Sequence, residues 1–121
     1  MLESNLNKAL EEAWTKANVA LEGAATDGDG SAMKIWLAAE AVEYSSLLYS
    51  LTYGLEDVDP PPAEKKGQSA MLLLKDSVSG LKRVRERGLL THLQAYELLR
   101  EAAHGLRTAY MNALKNSERP R

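Results

Sequence analysis

Four carboxylates in the middle of the chain have the spacing of a divalent-metal site. Glu40 and Glu43 are three residues apart, and after twelve intervening residues Glu56 and Asp59 repeat the same interval. Residues three apart lie on one face of a helix. Carboxylate oxygens are ligands that Mg²⁺ prefers, and the bound ion neutralises the phosphates of a substrate and activates water. These four residues are therefore the candidate metal ligands of the sequence.

The interval between the two pairs resembles that of the all-α nucleotide pyrophosphohydrolases of the MazG type. The resemblance implies a Mg²⁺-dependent hydrolase in which the two acidic pairs sit on antiparallel helices and converge. Here residues 44–55 have the pattern of one uninterrupted helix, which would place Glu40 and Asp59 roughly 28 Å apart along its axis. Asp59 also precedes Pro60, a position that disfavours the helical conformation. We therefore expect no metal and no cofactor, and the hydrolase is the third hypothesis for function.

Basic residues on two predicted helices of the second half suggest a different chemistry. Such side chains could line a surface for phosphate groups, because each phosphate they neutralise releases counterions and strengthens binding to nucleic acid. Acidic residues are interspersed among them, so a solvated surface and pairing with other parts of the protein stay open. The alternative function is thus a small subunit that contacts nucleic acid in a nucleoprotein complex. Its candidate residues are Lys75, Lys82, Arg83, Arg85, Arg87, Arg100 and Arg107.

The small net charge of −2 hides an asymmetry along the chain. Residues 1–60 carry three lysines against eleven acidic residues, whereas residues 61–121 carry twelve basic residues against six acidic ones. We expect either that the two halves face each other in the fold or that each meets a partner of opposite charge.

Length and composition indicate one ordinary globular domain. The chain has 121 residues, of which 45% are hydrophobic, and it has no cysteine. Thiolate nucleophiles, cysteine-bound zinc, Fe–S clusters and disulfides are therefore excluded. No apolar run approaches the roughly 20 residues that span a bilayer, so we expect a protein without membrane contact, located by default in the cytoplasm. We assign residues 1–116 to the domain and residues 117–121 to a polar tail.

Apolar residues recur at three- and four-residue steps in four stretches, which predicts four helices. Thr91 and Gln94 have the spacing of a capping box at the start of the last one. Between the second and third helices a Pro-rich segment forms a linker, at which the chain is expected to reverse. The prediction is an all-α protein, an antiparallel four-helix bundle with a Pro-rich linker between helices 2 and 3. The predicted helices cover about 4–22, 31–55, 68–87 and 91–116, and the linker covers 57–67.

The second predicted helix carries two apolar stripes on nearly opposite sides, so it needs two neighbours. We expect the stripe rich in leucine to pack into the bundle, which leaves the second stripe for a protein partner, although a fully enclosed helix is the alternative. The function predicted first is therefore non-catalytic protein–protein contact, as a homo-oligomer or as a small subunit or adaptor of a larger assembly. The leucine-rich stripe comprises Leu37, Ala41, Tyr44, Leu48, Leu51 and Leu55, and the predicted partner-binding residues are Ile35, Trp36, Val42, Tyr49 and Tyr53.

Overall fold

The computed structural model describes residues 2–27, 31–55 and 69–118, and in these ranges the chain forms four helices and no strand. The helices pack against one another, which confirms the predicted all-α four-helix bundle. The predicted linker lies outside the described residues, while the last helix continues to Glu118, two residues into the predicted polar tail. The helices are α1 (Leu2–Asp27), α2 (Ala32–Tyr53), α3 (Ala70–Glu86) and α4 (His92–Glu118).

Each helix has two neighbours, so the bundle closes in the order α1, α2, α4, α3. Neighbouring helices are antiparallel. The end of α2 meets the start of α4 where Tyr49 contacts His92, and the end of α3 meets the first half of α1 where Arg85 contacts Glu11. Helices α2 and α3 are therefore diagonal and point in the same direction. The expectation that the chain reverses between them is wrong, because α2 ends and α3 begins at opposite ends of the bundle.

Small residues let the helices approach closely. Helix α1 buries a stripe of alanines, whose short side chains allow the backbones of neighbouring helices to lie close to that of α1. Helices α3 and α4 also approach closely, since Ser77 donates a hydrogen bond of 3.2 Å to the carbonyl of Ala102. A Cβ atom added at Gly105 would lie 2.7 Å from Ser77 Oγ. The buried stripe of α1 comprises Ala9, Ala13, Ala17, Ala20 and Ala24.

Local hydrogen bonds define the ends of the helices. The amide of Thr91 donates to Gln94 Oε1 at 2.9 Å and the amide of Gln94 donates to Thr91 Oγ1 at 3.1 Å, which confirms the predicted capping box. In the preceding turn Arg87 has φ 47° and ψ −55°, and the amide of Gly88 donates to the carbonyl of Glu86. Arg87 is thus the central residue of a tight three-residue turn with positive φ, a conformation that costs free energy for any residue but glycine.

The packing of α2 differs from the sequence-based prediction. Ile35, Val42 and Tyr49, which we expected to face a partner, are buried in the bundle, while Tyr53 is half-buried and Trp36 lies at the bundle edge. Half of the leucine-rich stripe faces outward instead, namely Leu37, Tyr44 and Leu51, while Leu48 is buried and Ala41 and Leu55 pack against the core. The reason is size: the buried side of α2 includes Ala38, Ala39 and Ser45, whose small side chains admit the backbones of α1 and α4.

Within the described ranges, none of the helices is both long and apolar enough to cross a membrane.

Candidate protein-binding surface

The outward face of α2 carries an unbroken stripe of large side chains. The intervals along this stripe are four, three, four, three and four residues, the heptad pattern by which one helix pairs with another. Five of its members are apolar or aromatic, and each is between 43% and 63% exposed. The sixth, Glu40, is exposed near the middle. We call this set the α2 seam, and its members are Met33, Leu37, Glu40, Tyr44, Leu47 and Leu51.

The α2 seam is comparable in area to the largest apolar patch of a typical monomer. Taking about 180 Å² for a large, fully exposed side chain, its five apolar members expose on the order of 500 Å². The largest apolar patch of a typical monomer is roughly 300–600 Å² and is often functional. The stripe from Met33 to Leu51 is also about 27 Å long at the rise of an α-helix, so its shape matches a second helix better than a small molecule.

Side chains of α4 contact one edge of the α2 seam. Arg107 donates to both carboxylate oxygens of Glu43, at 2.7 and 2.8 Å, and its guanidinium lies 4.1 Å from the centre of the Trp36 ring. Trp36 in turn contacts Tyr110, with ring centres 5.0 Å apart. The hydrogen bonds to Glu43 raise the pKa of Arg107, against a smaller opposing effect of burial. Trp36, predicted as a partner-binding residue, therefore lies beside the seam with one face covered.

The four candidate metal ligands do not come together in the described part of the chain. Glu43 is engaged by Arg107, and Glu40 stands one turn away on the exposed side of α2. Glu56 and Asp59 lie outside the described residues. Among the residues that the structure does describe, no group of three or more acidic or histidine side chains could hold a metal ion.

The seven basic candidates lie on different sides of the bundle. Arg85 donates two hydrogen bonds to Glu11, at 3.0 and 2.8 Å, and lies over Trp14 of α1. Arg107 instead contacts α2, while Arg100 lies over Tyr96 of its own helix. Binding of nucleic acid stays a prediction, but two of its residues are engaged by acids of the first half. The other four, all exposed, are Lys75, Lys82, Arg83 and Arg87.

Two ion pairs join the acidic first half of the chain to the basic second half. Arg85–Glu11 joins α3 to α1, and Arg107–Glu43 joins α4 to α2. Each pair links the basic second half to the acidic first half across a helix–helix contact. The first of the two expectations for the asymmetry, that the halves face each other, therefore describes these contacts.

Tyr49 and Tyr53 form an aromatic cluster with His92 at one end of the bundle. The Tyr49 hydroxyl and His92 Nδ1 are 2.9 Å apart, and the His92 ring stacks on Tyr53 with centres 3.7 Å apart. Burial raises the pKa of Tyr49, and the charge of Arg87 partly opposes this. Both tyrosines border a groove of about 460 Å³ between the ends of α1, α2 and α3. Through their contacts with His92, the two tyrosines join the end of α2 to the start of α4.

Sequence reasoning missed the exposed leucines because it ranked the two stripes of α2 by hydrophobicity. A signal was present in the first helix, whose periodic positions are mostly alanine. A partner stripe that also contains alanine and serine fits such a surface closely, whereas rows of leucine and tyrosine do not. Comparison with known proteins adds no constraint, since no family model, no curated protein and no solved structure matches this chain.

Proposed function

We propose that this bundle acts by protein–protein contact through the α2 seam, as a homo-oligomer or as a small subunit or adaptor of a larger assembly. The observation that carries the proposal is the row of large exposed side chains, including Leu37, Tyr44 and Leu47, on the side of α2 that none of the other three described helices covers. Leucine and tyrosine on a regular helical stripe are suited to receive a helix from outside.

The apolar surface of the α2 seam is large enough to offset the free-energy cost of association. Removing on the order of 500 Å² of apolar surface from water contributes about 12 kcal/mol at roughly 25 cal/mol per Å². Association costs roughly 4–15 kcal/mol in lost translational, rotational and side-chain freedom. The two quantities are of similar size, so the surface of the seam itself offsets the cost of association, and the apolar surface that a partner buries against the seam supplies the net affinity.

A pair of matched substitutions tests the proposal. Leu47 is a member of the α2 seam, whereas Leu89 is fully exposed in the turn between α3 and α4. Leu47→Glu and Leu89→Glu make the same chemical change at exposed sites, so both variants are expected to fold, which circular dichroism and thermal melting would check. Only Leu47→Glu places a charge in the seam.

The measurement is retention of protein, either the same chain or another, on the immobilised bundle. We expect wild-type chain and Leu89→Glu to retain the same protein and Leu47→Glu to retain less than a tenth as much, because a buried unpaired carboxylate is costly. Equal retention by the two variants, or no specific retention by wild-type chain, would contradict the proposal.

A further inference from the structure

The seam has the symmetry of a surface that binds itself. Resting on the proposed function, we infer that its occupant is a second copy of this chain, whose α2 lies antiparallel on the first across a twofold axis between Glu40 and Tyr44. The six seam positions are spaced symmetrically about that midpoint. In an antiparallel pair, positions equally far from the midpoint face each other.

This register pairs every member of the seam with a suitable partner. Met33 of one copy faces Leu51 of the other, and Leu37 faces Leu47, so four apolar layers form, two at each end. In the centre Glu40 faces Tyr44 of the second copy. The one carboxylate of the seam thus meets its one hydroxyl, which can donate a charge-assisted hydrogen bond to it. Twofold symmetry makes this contact twice.

The same residues disfavour the parallel arrangement. A parallel pair would bring Glu40 against Glu40 of the second copy in the middle of an apolar interface, and like charges in such a position oppose pairing. Glu43 also approaches its counterpart in the antiparallel pair, at the edge beside the axis. There, however, each carboxylate already accepts two hydrogen bonds from Arg107 of its own chain, so the charge is compensated before the copies meet.

The area is sufficient for a reversible dimer. Two seams contribute on the order of 1,000 Å² of apolar surface, close to the roughly 1,200 Å² at the lower end of specific, stable interfaces and in the range of weak, reversible ones. We therefore expect a dimer with a dissociation constant in the micromolar range. A dimer of this strength assembles and separates with protein concentration.

Cysteine pairing tests the register directly, because the natural chain has no cysteine. Leu37→Cys and Leu47→Cys are prepared as separate variants, oxidised alone or as an equal mixture, and examined on non-reducing gels. In the antiparallel register position 37 faces position 47, while identical positions lie roughly 15 Å apart along the axis. We expect the mixture to form a covalent heterodimer at least tenfold faster than either variant forms a homodimer.

Several results would overturn the inference. Rapid homodimer formation by Leu37→Cys alone would indicate parallel pairing, and equal rates in all three samples would indicate collisions. A wild-type chain that stays monomeric in sedimentation equilibrium at high micromolar concentration would also overturn it. If such a monomer still retains another protein in a manner that Leu47→Glu abolishes, the proposed function stands and only the second copy is excluded.

The central hydrogen bonds have a test of their own. Tyr44→Phe keeps the ring and removes the hydroxyl from both copies. We expect it to weaken the dimer about tenfold, because both hydrogen bonds from Tyr44 to the charged Glu40 of the other copy are lost at a partly exposed site. An unchanged dissociation constant would show that Glu40 and Tyr44 do not meet.

Discussion

We expect Gly105→Ala to destabilise the protein when residue 77 is serine and to stabilise it when residue 77 is alanine. A Cβ atom at position 105 would lie 2.7 Å from Ser77 Oγ, too close for any real contact, so Ser77, which is 3% exposed, must shift away from the carbonyl of Ala102 to which it donates a hydrogen bond. Overpacking of a buried site costs typically 1–3 kcal/mol. Alanine gains about 1 kcal/mol over glycine within a helix. The net expectation is a loss of about 1 kcal/mol.

In a Ser77→Ala background the obstacle is gone. The next nearest atom to the new Cβ is the carbonyl oxygen of Leu73 at 3.8 Å, an ordinary contact. Gly105→Ala should then stabilise the protein by about 1 kcal/mol through helix propensity alone. The two effects together correspond to a coupling free energy of about 2 kcal/mol between the two sites, within the range measured for residues in contact.

Urea unfolding of the four proteins, followed by circular dichroism at 25 °C, measures this coupling. The linear dependence of the free energy of unfolding on urea gives each difference, provided the slopes agree. If Gly105→Ala stabilised the wild-type background as much as it stabilises Ser77→Ala, then α3 and α4 do not approach each other closely at this point, and the packing argued above would be refuted.

Two further predictions concern the bundle end. Arg87→Gly should stabilise the protein by about 1 kcal/mol in urea unfolding, because glycine accepts the positive φ of this turn; Arg87→Ala, which keeps a Cβ, should not, and equal effects of the two would contradict the turn geometry. Burial raises the pKa of Tyr49 in the folded protein above its value of about 10 in the unfolded chain. The contribution of the neutral Tyr49 hydroxyl to the free energy of unfolding is therefore complete below pH 10 and is lost as the pH rises through the pKa of the folded state. Stability measured against pH should thus fall less steeply above pH 10 in Tyr49→Phe, and identical curves would refute the assignment.

Much of the fold was predictable because it depends on neighbours in the sequence. The capping box of Thr91 and Gln94 is decided by residues three apart, and the helical stripes follow from periods of three and four. The observed helices accordingly match the predicted ones to within a few residues, except that α1 continues five residues further, to Asp27.

The direction of α3 and the orientation of α2 depend on contacts that are distant in sequence. Whether the third helix lies beside the second or diagonally from it is decided by which surfaces fit, and the ion pairs of Arg85 and Arg107 join residues 74 and 64 positions apart. The inward side of α2 is likewise decided by its fit to the alanine stripe of α1. Hydrophobicity counted along α2 alone favours the wrong side, since Leu51 is more apolar than Ser45.

The seam itself could therefore not be located without the fold, although the sequence correctly indicated that α2 has more apolar surface than a single contact uses. The contacts of the basic residues could likewise not be predicted from the sequence alone. Their excess in the second half is visible in the sequence, but only the structure shows that Arg85 and Arg107 face carboxylates of the first half.

Sedimentation equilibrium of the wild-type chain, Leu47→Glu and Leu89→Glu tests most directly whether the α2 seam is a protein-binding surface that pairs with its own copy. The account predicts that wild-type chain and Leu89→Glu shift from monomer to dimer mass across the micromolar range, while Leu47→Glu remains at monomer mass. A single monomer mass for all three proteins, or a dimer that persists unchanged in Leu47→Glu, would contradict it.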